Sequence, residues 1–448
     1  MKNFIKFLKT DIKIINSYFL LAVILIILIS IGYSSYALFS FTKTSNNVIE
    51  GTVGELKKNI DTSGANAPVL ASNMIPVYYD ETNSVWKKSD VSNMDKTNPW
   101  YSYNSTGEYK GMWANAVTVT ATNRTTYLNA APGTTIPMTD INTMWVWIPR
   151  FNAVTPSNYN GGTKTKPNAI DVTFVKQNET AIDAFTFGDK ELSGFWFAKF
   201  VTSHSTLSSS TTENNLGCTN ETCSNANGII IKPNVQSLRY NNVSNFFYAS
   251  RSMEQSGNSF GFVSSEVDTH MSKNNEWGTV AYLTQSIYGR CTSSTSCTEV
   301  GINNNSGYLT GYGAPAGSND SVTNGAYNTT LGKDASTTGN IYGIYDMSGG
   351  TREYVMGVYN KTIKSSGFSS LPNEKYYNNY TETTYTGHAL TETAGWYSDY
   401  YDFVNSRHPW FGRGVGYGDS TAAGVFYSDF SNGDSVSYSS SRLVISNE

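Results

Sequence analysis

The chain has few charged residues and no concentration of either charge sign. Its 31 lysines and arginines nearly balance its 35 aspartates and glutamates, and charged residues make up only 15% of its 448 residues. Domains that bind nucleic acids usually carry clustered lysines and arginines, because contacts to phosphates dominate their affinity. This sequence has no long run of basic residues, and we predict that the protein does not bind nucleic acid.

Internal repeats and long helical patterns are also missing. No repeat of fixed period is found, and helical hydrophobic patterns are few after residue 300. Aromatic residues reach 14%, and short apolar runs are separated by Gly, Asn, Ser and Thr. This composition is typical of a loop-rich, β-dominated surface protein and argues against a helical cytosolic enzyme.

Cysteine is scarce: the four cysteines form two close pairs, Cys218 with Cys223 and Cys291 with Cys297. Both pairs lie in segments rich in Ser, Thr and Asn, which predicts two local disulfides in loops outside the cytoplasm. Zinc-binding pairs usually have about two to four intervening residues and a neighbouring turn signature. A four-thiolate zinc site and unpaired thiols are the alternatives that the sequence leaves open.

Near the N-terminus, four lysines precede a stretch without charged residues, residues 14–42. At about 1.5 Å of rise per residue, such a stretch is long enough to cross a membrane as a helix. Lysines on its N-terminal side favour a cytoplasmic N-terminus. We therefore predict a cytoplasmic basic segment at residues 1–13, a transmembrane helix or signal peptide at residues 14–42, and an extracellular location for the rest.

The end of this stretch has features of a cleavable leader. Small residues at Ser35-Tyr36-Ala37 suit a signal peptidase that cuts after Ala37. The run from Gly32 to Ser40, followed by Ser45-Asn46-Asn47, resembles the leader of biofilm-matrix fibre proteins secreted by Gram-positive bacteria. A permanent anchor and a cleaved leader are both left open, and both place the main domain outside the cell.

Composition divides the remaining chain into three parts. Residues 43–72 are polar and are predicted to form a stalk or linker. Residues 73–140 contain short β-prone runs rich in Trp and Tyr, which predict a small β-rich subdomain. Residues 141–448 form the larger domain, in which hydrophobic patterns predict helices at Asn241–Met253 and Ser272–Ser286.

Five short motifs follow one another through the larger domain: Trp147-Ile148-Pro149, Phe195–Thr202, Met271–Trp277, Asn340–Tyr354 and Ser441–Val444. In this order they resemble motifs of the formylglycine-generating-enzyme and sulfatase-modifying-factor family, a branch of the C-type lectin fold. The matches span about two thirds of the chain. The resemblance implies an α+β fold: a loop-rich, C-type lectin-like domain, preceded by the small β-rich subdomain and one N-terminal transmembrane or signal helix.

The reactive residues of this family are missing. Its oxygen-dependent oxidases need a cysteine pair near the C-terminus, whereas no cysteine follows Cys297 here. Another branch holds iron with clustered histidines, and the four histidines of this chain are not in ligand spacing; they are His204, His270, His388 and His408. We therefore predict a non-catalytic protein, with an unrecognised oxidase or sulfatase-modifying enzyme as the enzymatic alternative.

The resemblance also implies a calcium site. Members of the family often carry structural calcium, which prefers oxygen ligands, and the candidate ligands here are Asn340 and Glu353. Gly350 and Arg352 replace an asparagine and a tryptophan of the family motif, which removes an oxygen donor and adds a positive charge. The alternative is that Glu353 pairs with Arg352 or with another cation. No other cofactor is predicted.

The last part of the chain combines many aromatic residues with polar ones. Rigid aromatic side chains give a binding surface a large contact area at low entropic cost, and the resemblance implies that this region displays the ligand surface. The predicted ligand-binding residues are Trp396, Tyr397, Asp399, Tyr400, Tyr401, Asp402, Arg407, Trp410, Phe411 and Tyr417. The alternative is that these rings cover a thin core between loops.

Together these features predict an exported bacterial protein of the cell envelope, membrane-anchored or secreted. We expect it to bind a glycan or a protein ligand at the cell surface, as an adhesion protein does, and to contact the membrane through its N-terminal segment. A receptor-binding protein of prophage or retroelement origin, built on the same fold, is the first alternative.

Overall fold

The computed structural model describes residues 61–92, 94–319 and 325–447. The predicted cytoplasmic segment and the predicted transmembrane or signal segment lie outside these residues, as does the predicted stalk up to residue 60. Within the described ranges, no helix is both long enough and apolar enough to cross a membrane.

The described residues contain 23 β-strands, most of them short. Aromatic and β-branched runs favour strands, and the Gly, Asn and Ser residues between them favour turns. Strands β1 to β12 are Ile75–Asp80, Val85–Lys88, Asn115–Val119, Thr135–Ile136, Ile141–Pro149, Phe151–Ala153, Val172–Phe174, Thr186–Phe187, Lys190–Glu191, Gly194–Ala198, Ser203–His204 and Cys218–Thr219. Strands β13 to β23 are Thr222–Cys223, Ile229–Ile230, Val267–Met271, Cys291–Ser293, Ser296–Cys297, Arg352–Tyr359, Asn378–Tyr380, Trp410–Arg413, Ser428–Ser431, Ser439–Ser441 and Leu443–Asn447.

Eight of these strands form one antiparallel sheet in the order β15-β23-β10-β5-β3-β1-β2-β4. β5 lies near its middle, and the side chains from Met144 to Ile148 are fully buried. Because successive side chains of a strand point to opposite faces, other parts of the chain cover both faces of β5. Trp147 of β5 pairs with Trp196 of β10, and their ring centroids are 5.3 Å apart.

The N-terminal strands belong to this same sheet. β3 pairs with β5, from Asn115 opposite Val146 to Val119 opposite Ile141, and β1 pairs with β3. The strands before and after residue 140 therefore lie in one sheet and one compact unit. The Trp- and Tyr-rich strands of the predicted β-rich subdomain, residues 73–140, therefore extend the large sheet.

A second sheet of five strands lies in the C-terminal half of the chain. β18 has three partners: β20 is antiparallel to it, β22 is parallel to its first residues, and β19 is parallel to its last residues. β21 extends the sheet by pairing with β20. Neighbouring strands therefore fix both ends of β18.

Helices are few and short among the described residues. The α-helices α1 to α4 are Arg124–Asn129, Val243–Ser252, Asn274–Thr284 and Thr330–Asp334. The 3-10 helices are Asn158–Gly161, Asp183–Phe185, Ala226–Gly228, Glu374–Tyr376, Thr391–Thr393, Trp396–Ser398 and Ser420–Ala422. α2 and α3 lie where the sequence predicts helices, and α2 begins where the Asn242 side chain accepts a hydrogen bond from the Asn245 backbone N–H.

The predicted α+β, C-type lectin-like fold class is wrong. Only 14% of the structure is helical, and no C-type lectin fold is shown. The chain is mostly β because its short aromatic and β-branched runs are too brief and too frequently interrupted by turn residues to form long helices.

The interior contains a histidine held between two carboxylates. His270 on β15 is fully buried, with Nδ1 3.1 Å from Asp268 Oδ1 and Nε2 3.0 Å from Glu276 Oε1. Its ring stacks on Phe187 at 4.7 Å. Burial alone would lower the pKa of His270, but the two carboxylates outweigh burial and raise it above its usual value.

Candidate functional site

A pocket with a volume of about 310 Å³ opens beside the second sheet. Its walls come from separate parts of the chain: a loop near residue 308, the first residue of β18, the loop after β20, the start of β21 and the loop before β22. Four tyrosines line it: Tyr308, Tyr417, Tyr427 and Tyr438. Three charged residues also line it: Arg352, Asp419 and Asp429. We call these seven residues the tyrosine pocket.

Strand geometry explains how Arg352 reaches the pocket. Arg352 and Tyr354 are two residues apart on β18, and the two side chains therefore lie on the same face. The neighbouring strand β20 carries Gly412 beside them, where an added Cβ would lie only 2.6 Å from Arg352 Cδ. The missing side chain of Gly412 therefore leaves room for the arginine to lie across β20.

Hydrogen bonds fix the Arg352 guanidinium in place. Nη1 lies 3.3 Å from Asp429 Oδ2, and Nε donates to Ser439 Oγ at 3.1 Å. Nη2 donates to the Tyr354 and Ser431 hydroxyls at 3.4 Å each. Burial alone would lower the pKa of Arg352, but Tyr354, Tyr438 and Asp429 outweigh burial and raise it. The group is therefore a fixed cation.

The tyrosine rings are packed against one another and against two arginines. Tyr308 and Tyr417 meet edge to face with centroids 5.0 Å apart. The Arg239 guanidinium lies 3.8 Å from the Tyr308 centroid, and the Arg352 guanidinium lies 5.0 Å from the Tyr438 centroid. Tyr438 is still 46% exposed. These contacts hold the rings in place and leave part of their surface open to a ligand.

The two carboxylates of the pocket have different environments. Asp429 accepts a hydrogen bond from the Tyr427 hydroxyl at 3.2 Å and also contacts Arg352. Burial raises the pKa of Tyr427, and Asp429 raises it further, which keeps the phenol neutral. The Asp419 backbone N–H donates to the Gly416 carbonyl at 3.4 Å. No ion pair joins Asp419 to a basic side chain in the described ranges.

The tyrosine pocket combines groups that can recognise a ligand. It offers aromatic faces, phenol hydroxyls, one neutralised arginine and one carboxylate without a cationic partner. Its lining contains neither histidine nor cysteine. Groups of this kind recognise a ligand by contact area, hydrogen bonds and charge.

No family model matches the chain, and no curated protein matches it. Among solved structures, variable protein 1 of Treponema denticola is similar, with 13% sequence identity and a TM-score of 0.29. The match covers 69% of this chain and 97% of the Treponema protein. A likeness this distant carries no argument about fold or function.

Part of the predicted ligand-binding surface lies at or near the tyrosine pocket. Tyr417 lines it, and Tyr400 is 46% exposed with its ring 5.7 Å from that of Tyr427. Three other predicted residues do not line the pocket; they are Tyr401, Asp402 and Arg407. The Tyr400 hydroxyl donates to Asp402 at 3.3 Å, Tyr401 shares a hydrogen bond with the Thr391 hydroxyl at 2.8 Å, and Arg407 is exposed.

The other predicted ligand-binding residues are buried, and a ligand at the surface cannot touch them. They are Trp396, Tyr397, Asp399, Trp410 and Phe411. The Trp396 ring packs on Phe426 with centroids 5.1 Å apart, and the Trp410 ring stacks on Phe368 at 5.8 Å. For these five residues the surface prediction is corrected: the four aromatic rings close the core between the loops and the second sheet, and Asp399 Oδ2 accepts a hydrogen bond from the Phe426 backbone N–H at 2.9 Å.

The two candidate calcium ligands are occupied by protein groups. Glu353 is fully buried and accepts hydrogen bonds from Arg442 Nη2 at 2.6 Å and Nε at 2.9 Å. Burial raises the pKa of Glu353 to about 7, although Arg442 opposes the rise. Asn340 Nδ2 donates to the Lys110 carbonyl at 2.9 Å, and Asn340 Oδ1 accepts from the Tyr342 backbone N–H at 2.9 Å. Glu353 therefore pairs with Arg442 rather than with Arg352.

Metal-binding clusters are not found elsewhere in the described residues: no group of three or more His, Cys, Asp or Glu side chains there could hold an ion. The predicted disulfides are confirmed. Cys218 is bonded to Cys223 across the hairpin of β12 and β13, and Cys291 is bonded to Cys297 across the hairpin of β16 and β17. Neither pair is available as a zinc site.

Sequence reasoning missed most of the tyrosine pocket. Tyr427 and Asp429 are two residues apart at the start of a strand, a spacing that puts both on one face. Arg352 and Tyr354 have the same spacing on β18. These two patterns were available in the sequence. The sequence does not show that the faces of β18 and β21 meet Tyr308 and Tyr438, because those contacts depend on loops that are far apart in the chain.

Proposed function

We propose that the protein is a non-catalytic binding or adhesion protein that acts outside the cytoplasm, and that the tyrosine pocket is its ligand site. The observation that carries this proposal is the fixed arrangement of four tyrosines around the Arg352–Asp429 pair. Tyrosine gives large contact area at low entropic cost and can also donate hydrogen bonds. A pocket with this lining suits a protein or a glycan ligand.

Preorganisation supports the same conclusion. The Tyr417 backbone N–H donates to the Gly350 carbonyl at 3.1 Å, which ties the loop after β20 to the loop before β18. Arg352 is held by four polar contacts. A ligand that enters such a site does not have to order these side chains. The entropic cost of binding is therefore smaller and the affinity is higher.

Two features support a location outside the cytoplasm. Disulfides form and persist in oxidising compartments, and this protein has two of them in surface hairpins. The sequence at residues 14–42 also matches a transmembrane or signal segment. Protease added to intact cells should therefore degrade the part of the protein beyond residue 42, whereas full protection would contradict export.

Array binding tests the ligand site. The labelled full-length protein, purified in mild detergent, is applied to glycan and protein arrays beside the double variant Tyr417→Ser/Tyr438→Ser. Loss of two aromatic contacts at the centre of an interface should weaken binding well over tenfold. Tyr385→Ser is the matched control, because Tyr385 is 40% exposed and does not line the pocket.

Thermal unfolding of each variant separates binding from folding. We expect the double variant to keep a wild-type melting profile and to lose array binding, while the control keeps both. Equal binding by the double variant, the control and the wild type would show that the ligand face lies elsewhere.

A further inference from the structure

The charges of the tyrosine pocket do not balance. The lining contains two carboxylates, Asp419 and Asp429, and one guanidinium, Arg352. Asp429 neutralises Arg352, with 3.3 Å between Asp429 Oδ2 and Arg352 Nη1. The lining then contains no cation that pairs with Asp419. Arg239, which stacks on Tyr308, is 7% exposed and does not line the pocket. Asp419 is therefore a carboxylate of the lining that has no ion-pair partner among the described residues.

The environment of Asp419 opposes its negative charge. Partial burial raises the pKa of this carboxyl, and the charge of Asp429 raises it further. A cation bound beside Asp419 would offset both effects, because an opposite charge stabilises the ionised form. A neutral or anionic ligand group would not.

The aromatic lining favours the same kind of ligand. Cations are attracted to the faces of tyrosine rings, and two rings of this pocket already carry arginines of the protein itself, on Tyr308 and Tyr438. Tyr417, which is two residues before Asp419, has no such partner among the described cation–ring contacts. A ring and a carboxylate on one short loop form a site for an ammonium or a guanidinium group.

We propose that the tyrosine pocket binds an organic cation, the side-chain ammonium or guanidinium of a lysine or arginine presented by a protein ligand. This inference rests on the proposed function of the pocket and names the chemical class of the ligand. Asp419 supplies the opposite charge, and Tyr417 supplies the aromatic face. A neutral sugar would leave the charge of Asp419 uncompensated, and a glycan ligand is therefore the competing outcome of the test.

Small probes test the charge directly. Binding of N-acetyl-lysine methylamide and N-acetyl-arginine methylamide to the full-length protein in detergent is measured by calorimetry or ligand-observed NMR. N-acetyl-norleucine methylamide is the neutral control with a similar side-chain shape, and N-acetyl-glutamate methylamide is the anionic control. We expect both cationic probes to bind at least about tenfold more tightly than either control.

Matched variants test the two residues. Asp419→Asn should weaken the cationic probes about tenfold and leave the norleucine probe unchanged. Glu382→Gln, which removes an exposed carboxylate away from the pocket lining, should change neither. Tyr417→Phe keeps the ring and should keep binding, whereas Tyr417→Leu should weaken the cationic probes severalfold.

The outcomes separate this inference from the proposed function. Equal binding of norleucine and lysine probes, tighter binding of the glutamate probe, or no effect of Asp419→Asn would overturn the inference. If neutral glycans bind on the array and Tyr417→Ser/Tyr438→Ser abolishes that binding, the proposed function holds and the cation inference fails. If neither arrays nor probes respond to the pocket variants, both fail.

Discussion

Arg352 and Glu353 are neighbours on β18, but they belong to two different regions of the molecule. Successive residues of a strand point to opposite faces, so that Glu353 faces the interior and Arg352 faces the tyrosine pocket. Glu353 and its partner Arg442 are fully buried, whereas Asp429, the partner of Arg352, keeps 22% of its side chain exposed. Both regions contain an arginine–carboxylate pair, but only the pair in the pocket can be reached by a ligand.

The aromatic residues show the same division. Trp410 and Tyr417 are seven positions apart and were predicted to share one binding surface. Trp410 is fully buried and its Nε1 donates to the Ile363 carbonyl at 3.1 Å, while Tyr417 lines the tyrosine pocket. The comparison teaches that aromatic density in this chain does not identify a surface, because the core and the pocket use the same residue types.

The largest expected effect on stability comes from replacing Trp410 and Tyr417 with alanine, one at a time. Trp410→Ala should lower the free energy of unfolding by about 4 kcal/mol, because it leaves a cavity where a buried ring was. Tyr417→Ala should lower it by less than about 1 kcal/mol. Urea unfolding followed by circular dichroism measures both, and equal losses would erase the distinction between core and pocket.

Disrupting the two ion pairs should also give unequal losses in the free energy of unfolding, with the larger loss for the pair in the interior. Glu353→Gln removes the carboxylate that accepts two hydrogen bonds from the buried Arg442 guanidinium. It should lower the free energy of unfolding by about 3 kcal/mol. Asp429→Asn should cost less, about 1 kcal/mol, because Asp429 is partly exposed and Arg352 keeps its contacts to Ser439, Tyr354 and Ser431. The same unfolding measurement applies. A larger loss for Asp429→Asn than for Glu353→Gln would place the structural ion pair in the pocket instead of the interior.

Much of the interior could be predicted from the sequence. The aromatic runs around Trp147 and Trp196 indicate strands, and they form β5 and β10. The hydrophobic patterns at Asn241–Met253 and Ser272–Ser286 indicate helices, and α2 and α3 lie within them. The short spacing within each cysteine pair indicates local disulfides. All of these features depend on residues that are close together in the chain.

The pocket and the partner of Glu353 could not be predicted in this way. Arg442 is 89 positions from Glu353, and a local pattern cannot say which strand covers a given face. The five segments of the tyrosine pocket likewise come together only in the folded chain. The pairing of β3 with β5 across residue 140 could not be predicted for the same reason. The motif resemblance to the formylglycine-generating-enzyme family stays a prediction.

A smaller effect is expected from the interior histidine, and it depends on pH. Asp268 and Glu276 raise the folded-state pKa of His270, so the protonated ring stabilises the folded protein. This contribution is fully present below the unfolded pKa of about 6.5 and is lost as pH rises through the folded-state value. The free-energy difference between wild type and His270→Gln should therefore shrink as pH increases from about 6.5. A difference that grows with pH would mean that the neutral ring is the stabilising form.

Other charged groups surround this site. The cations that contact the two carboxylates are Arg251, Lys273 and Lys375. Burial of Asp268 and of Glu276 would raise the pKa of each carboxyl, but His270 outweighs burial and lowers both pKa values, so both carboxyls stay ionised where His270 titrates. Comparing the variant with the wild type at each pH removes contributions that the two proteins share. The tyrosine pocket differs from this interior site, because none of its lining residues is a histidine.

The smallest effect on stability is expected at Gly412, where the interior strand β20 meets the tyrosine pocket. A Cβ at this position would lie 2.6 Å from Arg352 Cδ, an atom of a flexible side chain that can move. Gly412→Ala should therefore lower the free energy of unfolding by less than about 1 kcal/mol, yet displace the guanidinium from Asp429 and Ser439. Glu382→Gln is again the control, because Glu382 is exposed and does not line the pocket. With Asp429 released, Gly412→Ala should bind the lysine probe differently from wild type, and Glu382→Gln should not. If Gly412→Ala binds as the wild type does, the position of Arg352 does not control the pocket.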